Sequence, residues 1–544
     1  MTGLKSLIIN SPYHCPNQYW EPKPGGGLLL KEGRRPASYE LYDVRNNTLR
    51  VEELPLVNAI RQRVNEWKAE GYPGTTAITR RLLEHWHDND ARQYPFYYCQ
   101  QEAVETLIWY VEAPVEWKQG IFIPGDGGPW ERICNKMATG TGKTTVMAMI
   151  ITWQVLNALT YPKRQRDFSS AVFIVAPGLT VKERLQVLQP GAIGNYYDEF
   201  SLCPSEALRQ RLNQAEILIE NWHTLMPHKP TDRSVVKIGP ESDEAYTRRV
   251  LGRLANRKRL IVINDEAHHA YRVRPELKIS KKAAAEIGQD VDEATRWIEG
   301  LDRIHKTRGI LRTFDLTATP FAPTGKTSTE KGLYEWIISD FGLNDAIEAG
   351  LVKTPRVVVR DDALPNAQSM RSKLYHIYRE PEVSEDLNRK AEPHEPLPSL
   401  VQNAYLLLGA DWKVAYEDWK KLGHQSPPVM LTVCNRTETA ARIEHFLNQD
   451  ILIEELKRST KTLRVDSKVL EKAERGEKAT ANKAYEEHLH KIIENSNIPE
   501  DKKQQLLDLK KEELLRAIVD NVGKPGSGGQ DLQAVISVAM LSEG

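Results

Sequence analysis

Cysteine is scarce: the 544 residues contain five, at positions 15, 99, 134, 203 and 434, and no two stand at C-x-x-C spacing. Such a set builds neither a disulfide framework nor a thiolate zinc site, and a reducing cytoplasm suits it. Long apolar runs are missing too. The longest, around residues 172–177, falls far short of the roughly 20 residues that cross a bilayer. Residues 1–10 hold one lysine and a Leu7-Ile8-Ile9 run too short for a signal peptide. There is no excess of charge of either sign, since 74 Lys and Arg balance 74 Asp and Glu. The summed field therefore draws in neither nucleic acid nor an anionic membrane, and any such binding must be local. No repeat of fixed period occurs, and the one low-complexity patch near the start, Pro24-Gly25-Gly26-Gly27, reads as a loop ahead of Arg34 and Arg35.

Hydrophobic residues are plentiful, 40% against 27% charged, so large cores can form. The length asks for about three to five structural units. Residues 1–90 read as an N-terminal accessory region with amphipathic helices at 56–70 and 77–86. From there to about residue 350 short apolar runs at 171–176, 215–219, 260–264 and 313–318 alternate with helical stretches. Mostly apolar runs suit a parallel sheet buried on both faces, so 91–350 is expected to be a doubly wound α/β domain with its active edge at the strands' C-terminal ends. Residues 351–398, rich in Pro, Arg and Glu, read as a connection. A second α/β unit is expected over 399–544, with a helix at 400–421, a strand at 429–433, a helix at 436–448, a charged helical stretch at 468–520 and a strand at 534–538. So few strands do not close a core, and this unit looks cut short.

The most informative segment lies between an expected strand at 133–137 and a helix from Lys143: Met137-Ala-Thr139-Gly140-Thr141-Gly142-Lys143-Thr144-Thr145. Small glycines let successive backbone N–H groups face one concavity, the helix N-terminus adds about half a positive charge, and Lys143 can reach the β- and γ-phosphates of ATP. Thr144 would offer its hydroxyl to Mg²⁺. Met137 stands where the P-loop formula asks for glycine. An ordinary turn before a helix would share part of this pattern, but a second segment argues for the phosphate reading. The apolar run 260–264 leads directly into Asp265-Glu266-Ala-His268-His269. A buried strand thereby delivers Asp265 to hold Mg²⁺ and Glu266 to polarise the water that attacks the γ-phosphate.

These motifs resemble those of the superfamily 2 helicases and translocases, and in detail the restriction subunits of type III restriction-modification enzymes. The resemblance implies RecA-like domains and an ATP-dependent motor on double-stranded DNA. It implies further that Gln100, in Phe96-Tyr-Tyr-Cys-Gln100, reads adenine, and that Asp265 to His268 is the DEAH-type signature with His268 at the nucleotide. Thr317 and Thr319, in Leu316-Thr317-Ala-Thr319-Pro320, would couple ATP state to domain closure. Val175 to Thr180 and Ile219 to His223 resemble strand-tracking motifs, and residues 336–360 and 8–12 are also similar to the restriction subunits. Contacts with DNA in such motors are expected from Thr180, Lys182, Arg184, Asn221, His223, Asn435 and Arg436. A modification methyltransferase subunit is the implied partner.

Residues 535–544 look like the start of motif V without its usual continuation. The expectation is an N-terminal portion of a longer protein, with the motif VI arginine and the nuclease domain downstream or on a separate C-terminal fragment. A catalytically weak nucleotide-dependent DNA-binding fragment and an RNA helicase stay open as alternatives. Three other clusters carry bland readings: Asn256-Arg-Lys-Arg259 as a solvated connection, 468–520 as a helical insertion with exposed ion pairs, and His85-Trp-His87-Asp88 as helix positions that diverge too far to share a metal.

Overall fold

The computed structural model describes residues 7–23, 27–43, 48–89, 92–227, 241–272, 281–323, 331–353, 377, 380–451, 453–457, 459–465, 483–509 and 511–538. They form two compact units, Met1–Thr354 and Pro355–Gly544.

The first unit opens with two antiparallel hairpins, β1 (Gln18–Pro22) with β2 (Leu28–Glu32) and β3 (Ser38–Asp43) with β4 (Thr48–Glu53). Helices α1 (Pro55–Ala69), α2 (Ala77–His87) and α3 (Tyr98–Glu112) follow. The centre is a six-stranded, wholly parallel sheet of β5 (Glu131–Met137), β6 (Ala171–Ala176), β7 (Glu216–Asn221), β8 (Leu260–Asp265), β9 (Ile310–Thr317) and, beyond a short β10 (Phe321–Pro323) and β11 (Lys331–Leu333) hairpin, β12 (Ile337–Phe341). Its spatial order is β12-β5-β9-β8-β6-β7. The first unit is thus an α/β fold with the doubly wound, RecA-like sheet expected of a P-loop domain.

Burial explains the strand composition. Every residue of β6 (Ala-Val-Phe-Ile-Val-Ala) and β8 (Leu-Ile-Val-Ile-Asn-Asp) is buried, whereas β7 at the sheet's edge alternates between half-buried and buried. Interior parallel strands covered on both faces take β-branched residues throughout, and an edge strand need not. Helix α4 (Lys143–Thr160) is apolar on nearly all sides, with Val146 to Val155 buried between the sheet and helices α2 and α3. Ile60, Val64, Trp67, Leu82 and Trp86 of α1 and α2 belong to the same buried cluster as α3, α4 and β6, so residues 55–87 share the sheet's core.

Residues 9, 10, 20 and 35 are strapped to Glu348, which follows β12 near the C-terminal limit of this unit. Ile9 and Asn10 donate their amides to the Glu348 carbonyl at 2.9 and 3.0 Å, Trp20 N donates to Glu348 Oε1 at 2.9 Å, and Arg35 pairs with the same carboxylate at 2.5 Å. Arg34 pairs with Glu102 of α3.

The second unit holds a three-stranded parallel sheet, β13 (Met430–Cys434), β14 (Thr462–Val465) and β15 (Ala534–Val538), with β15 in the middle. The strand β14 was not anticipated; the helices Ser399–Lys421 and Thr437–His445 lie where periodicity placed them. Part of the charged stretch forms helices Lys483–Glu494, Glu500–Leu507 and Lys511–Val519. Their charged faces have an apolar underside: Leu489, Ile492, Ile493, Leu514, Leu515 and Ile518 are buried with Leu463, Val465 and Val535. Most of the connection at 351–398, residues 466–482 and the end of the motif V-like segment lie outside the described residues.

Candidate functional site

The chain leaves β5 at Met137 and turns through 138–142 into α4. Gly140 and Gly142 take φ of 87° and 83°, left-handed values that side chains with a Cβ avoid. At Gly142 space forbids a side chain as well, because a Cβ would collide with Gln100 Nε2. Gln100 is itself buried and fixed at both ends: its Nε2 donates to the Thr141 carbonyl at 3.2 Å and its Oε1 accepts from Tyr97 N at 3.0 Å. Thr141 Oγ1 donates to the Ala138 carbonyl at 2.6 Å, closing the turn. Thr139 and Gly140 are exposed, Lys143 and Thr144 half-buried, and Thr145 buried under the helix start.

Strand order brings the acidic motif to this loop. β9 lies between β5 and β8, with Lys136 paired to Thr317 and Leu316 to Asp265, so the three strands end level. Neighbouring strands are about 4.8 Å apart, which puts the ends of β5 and β8 roughly 10 Å apart, within reach of a lysine. Asp265 is buried. Glu266 turns the chain with φ 44° and ψ 52°, a left-handed conformation costing on the order of 1 kcal/mol at a non-glycine residue. That turn aims its carboxylate at the loop, and Lys143 Nζ lies 3.0 Å from Glu266 Oε1. His268 Nδ1 stands 2.9 Å from Thr317 Oγ1 and 3.6 Å from Glu266 Oε2, and the Thr319 amide donates to Thr317 Oγ1 at 3.1 Å. Gln100, Lys143, Glu266, His268, Thr317 and Thr319 are therefore one connected cluster at one end of the sheet.

Residues 93–322, which span this cluster, match the family model of the type III restriction enzyme, res subunit. The chain is similar to the res subunit over those residues. Comparison with curated proteins gives no match. The family supports a helicase-like, ATP-dependent activity for the domain in general terms.

Behind the cluster the first unit holds its acidic loop with buried groups that sequence reasoning did not single out. Arg132 of β5 donates to the Ala270 carbonyl at 2.8 Å and pairs with Asp315 at 2.7 Å and Asp126 at 2.9 Å. Burial works against the Arg132 charge, but Asp315 and Asp126 outweigh it and raise its pKa. Asn264 donates to Asp315 and accepts from Trp297. Tyr334 Oη donates to the Ala267 carbonyl at 2.8 Å. The available signal was weak: Arg132 is one of four polar residues, with Glu131, Asn135 and Lys136, in the seven-residue strand immediately before the P-loop.

Several expected nucleic-acid residues gather at the same end of the sheet. Ala176 pairs with Asn221 in the register of β6 and β7. Lys182, on helix Leu179–Arg184, pairs with Glu220 at 2.7 Å. Asn221 is buried and its side chain accepts from Thr224 N at 3.3 Å, capping the turn that carries His223. Arg184 is exposed, and the Thr180 side chain lies outside the described residues. Asn435 and Arg436 belong to the second unit, where both hydrogen-bond to Asn388. His85 and His87 diverge, to the Ser201 carbonyl and to Glu105 respectively.

Among the described residues no helix is long and apolar enough to cross a membrane.

Proposed function

We propose that the first unit hydrolyses ATP and uses the cycle to move along double-stranded DNA, as the motor of a type III-like restriction or phage-defence endonuclease in the cytoplasm. The observation that carries this reading is the convergence of Lys143 and Glu266 at 3.0 Å beneath a loop where only glycine fits at position 142. A cationic amine and a proton-accepting carboxylate meet where a γ-phosphate and its attacking water would have to lie.

The residues present fit ATP with Mg²⁺. Loop amides within 139–144 and the α4 N-terminus would cradle phosphate oxygens, Lys143 would neutralise their charge, and Gln100, whose amide also holds the Thr141 carbonyl and the Tyr97 amide, would read the adenine edge through its second Nε2 hydrogen. Thr144 and Asp265 are the groups that would hold Mg²⁺, which supplies charge neutralisation across the β- and γ-phosphates. Glu266 orients water and takes up its proton. His268, Thr317 and Thr319 link that carboxylate to the end of β9, so a change at the γ-phosphate reaches the segment leading out of the sheet. Thr180, Lys182, Arg184, Asn221 and His223 flank the same end of the sheet and contact the DNA backbone; Asn435 and Arg436 are the DNA contacts of the second unit taken by itself. A modification methyltransferase subunit is the partner this reading calls for.

ATP turnover measured side by side with duplex DNA, single-stranded DNA and RNA tests the reading. Duplex DNA should stimulate most. Lys143→Ala should remove most nucleotide affinity, and Glu266→Gln should lower turnover far more than affinity. Equal nucleotide binding by Lys143→Ala and wild type would sink the assignment, and stimulation by RNA alone would replace DNA as the track.

A further inference from the structure

At the opposite end of the same sheet lies a cleft of about 440 Å³, lined among others by Tyr161, Gln165, Phe168, Arg257, Lys258 and Arg259. It sits where β6 and β8 begin, and these strands are neighbours with Val172 paired to Ile261. Six residues at roughly 3.3 Å each separate it from the Lys143–Glu266 cluster by about 20 Å. It is outside the site described above.

The two segments that border the cleft, 161–170 and 256–259, carry six cations against one anion, Asp167, in a chain whose total charge is zero. Two of the six are neutralised: Arg164 pairs with Asp167 at 2.7 Å and Arg257 pairs with Glu216. Among the described residues no carboxylate pairs with Lys163, Arg166, Lys258 or Arg259, all of them exposed. Arg259 Nη1 donates to Gln165 Oε1 at 3.3 Å. A solvated connection would need no special backbone, yet Arg259 is held at φ 60°. This left-handed conformation is strained for arginine, and Glu266 is another of the few non-glycine residues that adopt it. Beside the cations the half-buried Tyr161 ring also lines the cleft, while Phe168 beneath it is buried under the Arg164 guanidinium.

We propose that this cleft and its rim are a second nucleic-acid site, binding phosphodiester backbone through Lys258 and Arg259 of the lining and through Lys163 and Arg166 of the bordering segment 161–170. It lies at the end of the strands remote from the motor cluster. The proposal does not rest on ATP hydrolysis or on movement. Four exposed cations without carboxylate partners form a sequence-independent electrostatic contact whose strength falls steeply with salt.

The test is fluorescence anisotropy of the full chain with a labelled duplex oligonucleotide, and with its single strand, over a range of salt concentrations. The combined variant Lys163→Gln, Arg166→Gln, Lys258→Gln and Arg259→Gln should reduce the slope of log affinity against log salt by about one per cation removed, about four in all. The charge-conserving counterpart, Lys163→Arg with Arg166→Lys, Lys258→Arg and Arg259→Lys, should restore it. Thermal melting and nucleotide binding without DNA should match wild type, because the four side chains are exposed and far from Lys143. An unchanged salt slope with both probes overturns the proposal. So does a loss of slope that the charge-conserving variant fails to restore. If no nucleic acid stimulates ATP turnover, the motor reading fails while the salt slope still decides this one.

Discussion

Gly142→Ala is the sharpest perturbation of the nucleotide loop, because two separate costs can be assigned before the measurement. Alanine at φ 83° would carry left-handed strain of about 1–2 kcal/mol. Its Cβ would also collide with Gln100 Nε2, and moving that amide away breaks its 3.2 Å bond to the Thr141 carbonyl, worth about 1 kcal/mol when buried. The sum, about 2–3 kcal/mol, appears as lost stability if the loop keeps its shape, or as a roughly 30- to 150-fold loss of nucleotide affinity if the loop relaxes. Thermal melting and titration with a fluorescent ATP analogue together capture both. Combining Gly142→Ala with Gln100→Ala separates the two costs, since the second change removes the colliding amide. The double variant should therefore lose less than the sum of the singles, by about 1 kcal/mol. Unchanged melting and unchanged affinity in Gly142→Ala would refute the reasoning, and strict additivity would refute the collision.

Tyr334→Phe removes the donor to the Ala267 carbonyl and should cut ATP turnover about 10- to 100-fold with nucleotide affinity unchanged, as steady-state kinetics and titration would show. Arg132→Met leaves Asp315 and Asp126 without their shared cation and should cost about 3–5 kcal/mol in denaturant unfolding of the first unit. Asp345 is pushed up from 3.8 to about 6 by burial and by the nearby Asp340 carboxylate. The folded state therefore holds that proton more tightly than the unfolded chain, and the associated stability is present below about pH 4 and lost as pH rises towards 6. Asp345→Asn retains an oxygen for the Gly342 amide and cannot ionise. Its stability relative to wild type should climb by up to about 3 kcal/mol between about pH 4 and 7. A difference that stays flat with pH would contradict this.

The candidate site was legible because its chemistry is local. Gly140, Gly142 and Lys143 need only one turn, and Asp265 and Glu266 only the end of one apolar strand. Their meeting depended on strand order, which periodicity does not encode. The edge strand β12 escaped notice because Ser339 and Asp340 interrupt its apolar pattern. Both are buried with cross-strand partners, Ser339 with Asn135 and Asp340 with Lys136. The hairpins before residue 54 were missed for a related reason: Gln18–Pro22 and Ser38–Asp43 are short and half polar. The helices at 55–87 were read correctly, since Val57, Ile60, Val64 and Trp67 recur at helical spacing and are the residues buried. Strand β9 starts at Ile310, ahead of the expected 313, where Arg312 pairs outward with Glu131 and masks the pattern.

The strap onto Glu348 sets an order of events during synthesis. Ile9, Asn10, Trp20 and Arg35 emerge from the ribosome first, and their common partner appears more than 300 residues later. At about 5–20 residues per second that interval is roughly 20–60 s. Throughout it the early segment waits with its amides and guanidinium hydrated and without their Glu348 partner while the strands of the sheet are made in turn, β12 last. The first residues made are thus among the last to lock. A nascent chain halted before residue 348 should have its leading segment open to protease, and one extended past that residue should have it protected.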